Sequence, residues 1–165
     1  MRQRLLSLIS CLILSAPVYA LSTDSEQPIY IDSDSQALDM ISNTVTFIGD
    51  VVLKQGSINI TADKVVVVRN SEDESIEQIE AFGKPAVFTQ LTDDGKTLHG
   101  EANTLHYHVR DDLLTMTKNA VLSQDDSVIK GPLIKYLITP QKLIADGKKG
   151  ERVSTVLQPT QPKKQ

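Results

Sequence analysis

The sequence predicts an all-β protein, an antiparallel sheet built from repeated units, on three observations. Beyond the first twenty positions Val, Ile and Thr number 13, 12 and 13, against seven Ala. Side chains branched at Cβ fit a pleated sheet and lose rotamer freedom in a helix. Apolar and polar residues alternate over many short segments, the period of strands with one buried face. Turn-forming pairs separate those segments, and no stretch sustains an i, i+3, i+4, i+7 apolar stripe with caps.

The first twenty residues read as a Sec signal peptide, outside the fold. Arg2 and Arg4 supply the positive start, Leu5 to Leu14 a short apolar run, and Val18-Tyr19-Ala20 a cleavage site. A membrane span needs about 20 apolar residues, more than this run supplies. Leu8-Ile9-Ser10-Cys11 imitates a lipobox, but the apolar run before it is only about half a normal signal core. Removing twenty of 165 residues leaves 145, with no cysteine, since Cys11 is the only one. That excludes a disulfide scaffold and thiolate chemistry. Loss of Arg2 and Arg4 moves the net charge from −4 to −6. An acidic chain draws little affinity from nucleic acid or anionic headgroups. The domain is expected over residues 21–157, with a flexible tail over 158–165 rich in Gln, Pro and Lys.

Within the domain, Ile29 and Ile31 share one face, opposite Tyr30 and Asp32. Val45 and Phe47 alternate with threonines; Ile58, Ile60 and Ala62 alternate with Ser57, Asn59 and Thr61. Leu105, Tyr107 and Val109 alternate with His106 and His108. Turns are expected at Ser42-Asn43, Gly49-Asp50, Gln55-Gly56, Asp93-Asp94-Gly95, Asp111-Asp112 and Asp125-Asp126. The six aromatics of the domain, Tyr30, Phe47, Phe82, Phe88, Tyr107 and Tyr136, are few for its length, so the core is mainly aliphatic.

The segment from Val45 to Gln55 matches Leu114 to Gln124 without a gap at an offset of 69, and the match continues through Ile60/Ile129 and Ala62/Gly131. A weaker copy from Phe82 to Tyr107 lies midway, giving a unit of about 35 residues. Each unit reads as strand, tight turn, strand, and then a strand begun at a small residue: Ala62, Ala102 or Gly131. Such a unit cannot bury its apolar face alone; stacking builds one continuous core. An antiparallel jellyroll and a right-handed parallel β-helix both satisfy this, and hairpin-type turns favour the former. Either leaves exposed edge strands, which charges such as Asp32, Asp34 and Lys135 would protect.

Candidate chemistry is sparse. His106 and His108 share a strand face with His99 nearby, but no third ligand stands at metal-site spacing, so they read as outer-face residues and no metal is expected. Asp32 and Asp34 imitate a carboxylate pair but read as a solvated edge, and Ser71 to Ser75 as an acidic loop without calcium-loop spacing. Nucleophile-elbow, phosphate-loop and dinucleotide motifs are missing, so no catalysis and no cofactor are expected.

Taken in order, Gln27 to Asp34, Leu38-Asp39-Met40, Val45 to Val51, Ala62 to Val67, Gly83-Lys84-Pro85-Ala86, Leu105 to His108, Ile129-Lys130-Gly131 and Val153 to Pro159 resemble the LptA/OstA family, the periplasmic lipopolysaccharide-transport proteins of Gram-negative bacteria. Order and spacing carry the likeness, since no single segment is diagnostic. The resemblance implies a slightly twisted, V-shaped β-jellyroll of about 16 antiparallel strands, open at both ends. It implies a periplasmic bridge of jellyrolls joined end to end, with an LptC-type inner-membrane protein and an LptD-type outer-membrane protein as partners. The ligand would be lipopolysaccharide, its lipid A acyl chains held in an apolar groove. Positions matching the family's interior ligand contacts are Ser25, Ile29, Ile31, Phe88, Tyr107 and Val109. Family members carry threonine at Ser25 and leucine at Val109. Two alternatives stay open here: a secreted β-helix enzyme acting on carbohydrate, and a ligand-free structural fibre.

Overall fold

The computed structural model describes residues 21–158; the expected signal peptide and nearly all of the expected tail lie outside the described residues. Among the described residues there is no α-helix, only a short 3-10 helix at Leu21–Glu26. Ten strands follow: β1 (Ile29–Asp32), β2 (Ser35–Asp39), β3 (Thr44–Gln55), β4 (Ile58–Arg69), β5 (Ile76–Leu91), β6 (Thr97–His108), β7 (Leu113–Gln124), β8 (Ser127–Leu137), β9 (Lys142–Asp146) and β10 (Ser154–Val156). All belong to one sheet and every pairing is antiparallel, which removes the parallel β-helix.

The six long strands run consecutively from β3 to β8, and each edge is finished by two short strands end to end. β1 and β2 share the free side of β3, at Val52–Gln55 and Thr44–Ile48. β10 and β9 share the free side of β8. Lys135 is paired through β9 and is therefore not an edge residue, contrary to expectation, whereas Asp32 is one.

A row of register shifts crosses the middle of the long strands, between Ile48 and Val51, Thr61 and Lys64, Phe82 and Ala86, Glu101 and Thr104, and Thr117 and Ala120. Bulges of this kind bend a strand and re-aim its side chains. Gly49-Asp50 was expected as a turn; it is instead a bulge inside β3, both residues having positive φ. The equivalent residues 69 positions on, Lys118 and Asn119, are also left-handed, so the repeat found in sequence is a repeat of backbone conformation. The repeating unit is a hairpin of two long strands, and Ala62, Ala102 and Gly131 sit mid-strand beside the bend rather than at strand starts.

The bend folds the sheet on itself. Phe88 of β5 lies three strands from Tyr136 of β8, yet their rings meet edge to face at 6.1 Å. Strands about 4.8 Å apart would place them far beyond contact in a flat sheet. At Gly100 a Cβ would lie 2.8 Å from Met116 Sδ and 3.2 Å from Leu122 Cδ1, side chains from opposite sides of the β7 bulge. The two half-sheets thus face each other across one core, which includes Leu53, Ile60, Phe88, Tyr107, Leu114 and Ile134. The described residues form ten continuous strands, against the about 16 expected.

Candidate functional site

The bend closes one side of the folded sheet, and the hairpin turns of the two half-sheets form the opposite, free margins. The first half-sheet ends at the turns around Gly56, 92–96 and Asp125-Asp126; the second ends at 40–43, 70–75, 109–112 and 138–141. Between the margins runs a seam. Interior side chains are apolar because each strand presents alternate residues inward, and the four buried polar residues of the described chain, Asp24, Gln55, Gln90 and Thr92, all lie along the first margin.

The 3-10 helix lies over one end of this seam. The Asp24 carboxylate accepts hydrogen bonds from Ser57 N (2.7 Å), the Ser57 hydroxyl and Gln90 Nε2 (3.1 Å). Gln55 Nε2 donates to the carbonyls of Ser25 (2.9 Å) and Gln27 (3.1 Å). Gly56, at φ +58°, lets the Asp24 carboxylate sit against the turn where a Cβ would collide with it. At the other end a cleft of about 260 Å³ lies between the margins, lined among others by Leu98, Leu122, Gln124, Tyr136, Leu143 and Leu157.

Several buried polar atoms at the seam have no hydrogen-bond partner among the described residues: Gln55 Oε1, Gln90 Oε1, Gln141 Nε2, and the hydroxyls of Tyr107 and Tyr136. Burial, reinforced by the Asp112 and Asp24 carboxylates, pushes the Tyr107 hydroxyl's pKa well up. Burial, then Asp93 and Asp112, pushes Tyr136 up to about 12. Both hydroxyls are therefore neutral at ordinary pH, that of Tyr107 beside the Asp112 carboxylate. An orphaned buried polar atom is costly; these five lie along the seam beside the apolar interior, whereas the orphaned Nε2 of His106 lies on the outer face.

The structure places the six expected ligand positions as follows. Ile29 and Ile31 of β1 are half-buried and pack on the core. Ile31 shares a register row with Leu53, Ile60 and Phe88, so Ile31 and Phe88 line the first half-sheet together. Tyr107 lies on the second half-sheet, and Val109, half-buried, just beyond the end of β6. Ser25 is half-buried in the 3-10 helix, with its carbonyl held by Gln55. Phe88 and Tyr107 are 0% and 1% exposed, so the interior is filled rather than an open groove. Sequence reasoning missed the seam residues Asp24, Gln55, Gln90 and Tyr136. Gln55 at an inward position of an apolar alternation was the one available signal; Asp24 acquires its role only through folding.

His106 and His108 lie on the outer face, rings stacked at 4.4 Å, with Glu80 Oε1 3.7 Å from His106 Nε2. The His106 pKa is lowered, chiefly by burial and then by the neighbouring His108. Among the described residues no group of three potential metal ligands converges, and no helix is long and apolar enough to cross a membrane.

This folded, single-sheet architecture is that of a known family: residues 30–142 match the one described as LptA/(LptD N-terminal domain) LPS transport protein, and the chain belongs to it. That is a family of transport proteins, not of enzymes, which sets aside the secreted-enzyme alternative. The chain is 49% identical over 152 residues to lipopolysaccharide export system protein LptA of Escherichia coli K12, covering 92% of this chain and 82% of that protein. It is 45% identical over 159 residues to the LptA of Haemophilus influenzae, covering 96% and 92%. The crystal structure of LptH from Pseudomonas aeruginosa, described as the LptA-homologous periplasmic component of the lipopolysaccharide transport device, superposes with a TM-score of 0.76 at 28% identity, covering 83% of this chain and 99% of that one.

Proposed function

We propose that this chain is a periplasmic lipopolysaccharide carrier that takes lipid A acyl chains between its two half-sheets, in the manner of a jellyroll that opens at its seam. The observation that carries this reading is the division of the interior: an apolar core, with the buried polar residues Asp24, Gln55, Gln90 and Thr92 gathered along one margin of the seam. Each buried methylene gains about 0.8 kcal/mol, and sugars and phosphates remain at the margin, where unpaired hydroxyls and amides meet them. Because the core is filled, loading requires the margins to part, the acyl chains replacing side-chain contacts that the parting costs.

Partners are an LptC-type protein at the inner membrane, an LptD-type protein at the outer membrane, and further copies of the chain joined head to tail. The short edge strands β1 with β2 and β9 with β10 leave backbone groups unpaired on their outer sides, the arrangement that accepts an added strand. Large exposed apolar residues gather there: Tyr30, Leu38, Met40 and Ile41 at one edge, Ile144, Val156 and Leu157 at the other. Such a heterologous contact repeats without closing. Native mass spectrometry of protein purified from the periplasm tests the reading: the folded chain is expected to retain a mass of lipopolysaccharide. Ligand-free protein after incubation with excess lipopolysaccharide would contradict it.

A further inference from the structure

We infer that the two free edges carry opposite net charge, with Asp39 set against Lys142 and Asp34 against Arg152, so that copies of this chain join in one direction only. The inference rests on the head-to-tail association proposed above and adds what selects its polarity and register. Residues 21–53 hold six carboxylates and no Lys or Arg; all but Asp24 are exposed, and they include Asp32, Asp34 and Asp39 of the β1–β2 edge. Beyond β8, residues 138–158 hold four cations, Lys142, Lys148, Lys149 and Arg152, against Asp146 and Glu151. A chain that is acidic in total is thus basic at one edge, and among the described residues none of these groups forms an ion pair within its own chain.

The register gives the pairing. β3 and β8 run in opposite directions, separated by five antiparallel steps, so β10 meets the β1 of a second copy antiparallel, and β9 likewise meets its β2. Both half-sheets therefore continue across the junction. Asp39 and Lys142 occupy one row of the sheet, traced through Thr44, Val68, Gln78, His108, Leu113 and Leu137. Tyr30 and Val156 occupy another, traced through Lys54, Asn59, Thr89, His99, Ser123 and Val128. Continued in register, the junction sets Asp39 of one copy opposite Lys142 of the next, and Tyr30 opposite Val156. Two residues beyond the row shared by Asp32 and Ser154, Asp34 comes level with Arg152. Two like edges would set carboxylate against carboxylate, or ammonium against guanidinium. Exposed pairs add little affinity singly, but they govern encounter rate and reject wrong partners.

Light scattering over a concentration series, at NaCl from about 0.05 to about 0.5 M, tests this, since screening acts over that range. Wild-type association is expected to weaken roughly tenfold or more across the range. Lys142→Glu/Arg152→Glu should associate at least about tenfold more weakly at low salt and lose most of its salt dependence. Mixed with Asp34→Lys/Asp39→Lys, it should recover an association that neither variant has alone. Asp39 also accepts hydrogen bonds from Ile41 N and Ser42 N. Thermal unfolding is therefore measured beside each assay, and Asp34→Asn/Asp39→Asn, which keeps an acceptor at the turn, should weaken association in the same direction. Salt-independent wild-type association, unchanged by Lys142→Glu/Arg152→Glu, would overturn the charge inference and leave the head-to-tail reading standing. Wild-type protein that stays monomeric at every concentration and salt would overturn both.

Discussion

Phe88 joins the two halves of the molecule. It has no exposed surface, shares a row with Ile31 and Ile60, and meets Tyr136 of the facing half-sheet at 6.1 Å. Phe88→Ala removes that bridge and leaves a cavity between the half-sheets. The expected loss is about 3–5 kcal/mol, read from chemical denaturation. A loss below about 1 kcal/mol would mean that the halves are not packed through this residue. The inward direction of Phe88 was legible from strand alternation; its partner was not. A contact three strands away exists only because the sheet is bent, and bending comes from backbone conformation at Gly49-Asp50 and Lys118-Asn119, where the second pair carries no glycine to announce it.

At the scale of elements, the 3-10 helix acts as a strap over the seam, held by Asp24 and by Gln55. Asp24→Ala leaves Ser57 N and Gln90 Nε2 without their acceptor, while the Ser57 hydroxyl keeps the Leu91 carbonyl at 3.3 Å, a cost of about 1–3 kcal/mol per buried orphan. Hydrogen exchange resolved by segment is expected to quicken over residues 21–27 while β4 to β7 keep their protection. Unchanged exchange there would show that the strap is held by something other than this carboxylate. The long strands were legible because their alternation is strict on each side of the bend. The bulge row was read partly as turns, since the glycine and Asp that favour a left-handed backbone serve a turn and a bulge equally well. The edge strands β9 and β10 escaped detection as separate elements because they are short and mostly exposed, with only half an apolar face to pattern.

For the whole molecule, one folded sheet supplies three surfaces. Its bend closes one side, its seam borders an apolar interior, and its two edges offer unpaired backbone. In the proposed function each unit need only hold acyl chains and hand them on. The acidic net charge gives a phosphorylated cargo little long-range attraction, which suits release. In the proposed function, strand parity separates the residues that meet lipid from those that meet water.

Site-specific photo-crosslinking in the presence of lipopolysaccharide tests this. A photoreactive aromatic residue in place of Ile31 or Phe88 sits inside the fold, and the same residue in place of His106 sits on the outer face of the second half-sheet. Covalent capture of lipopolysaccharide is expected at Ile31 and Phe88, with none above background at His106. Equal capture at Phe88 and His106, by proteins with the same thermal unfolding profile, would contradict the assignment of the interior as the lipid path.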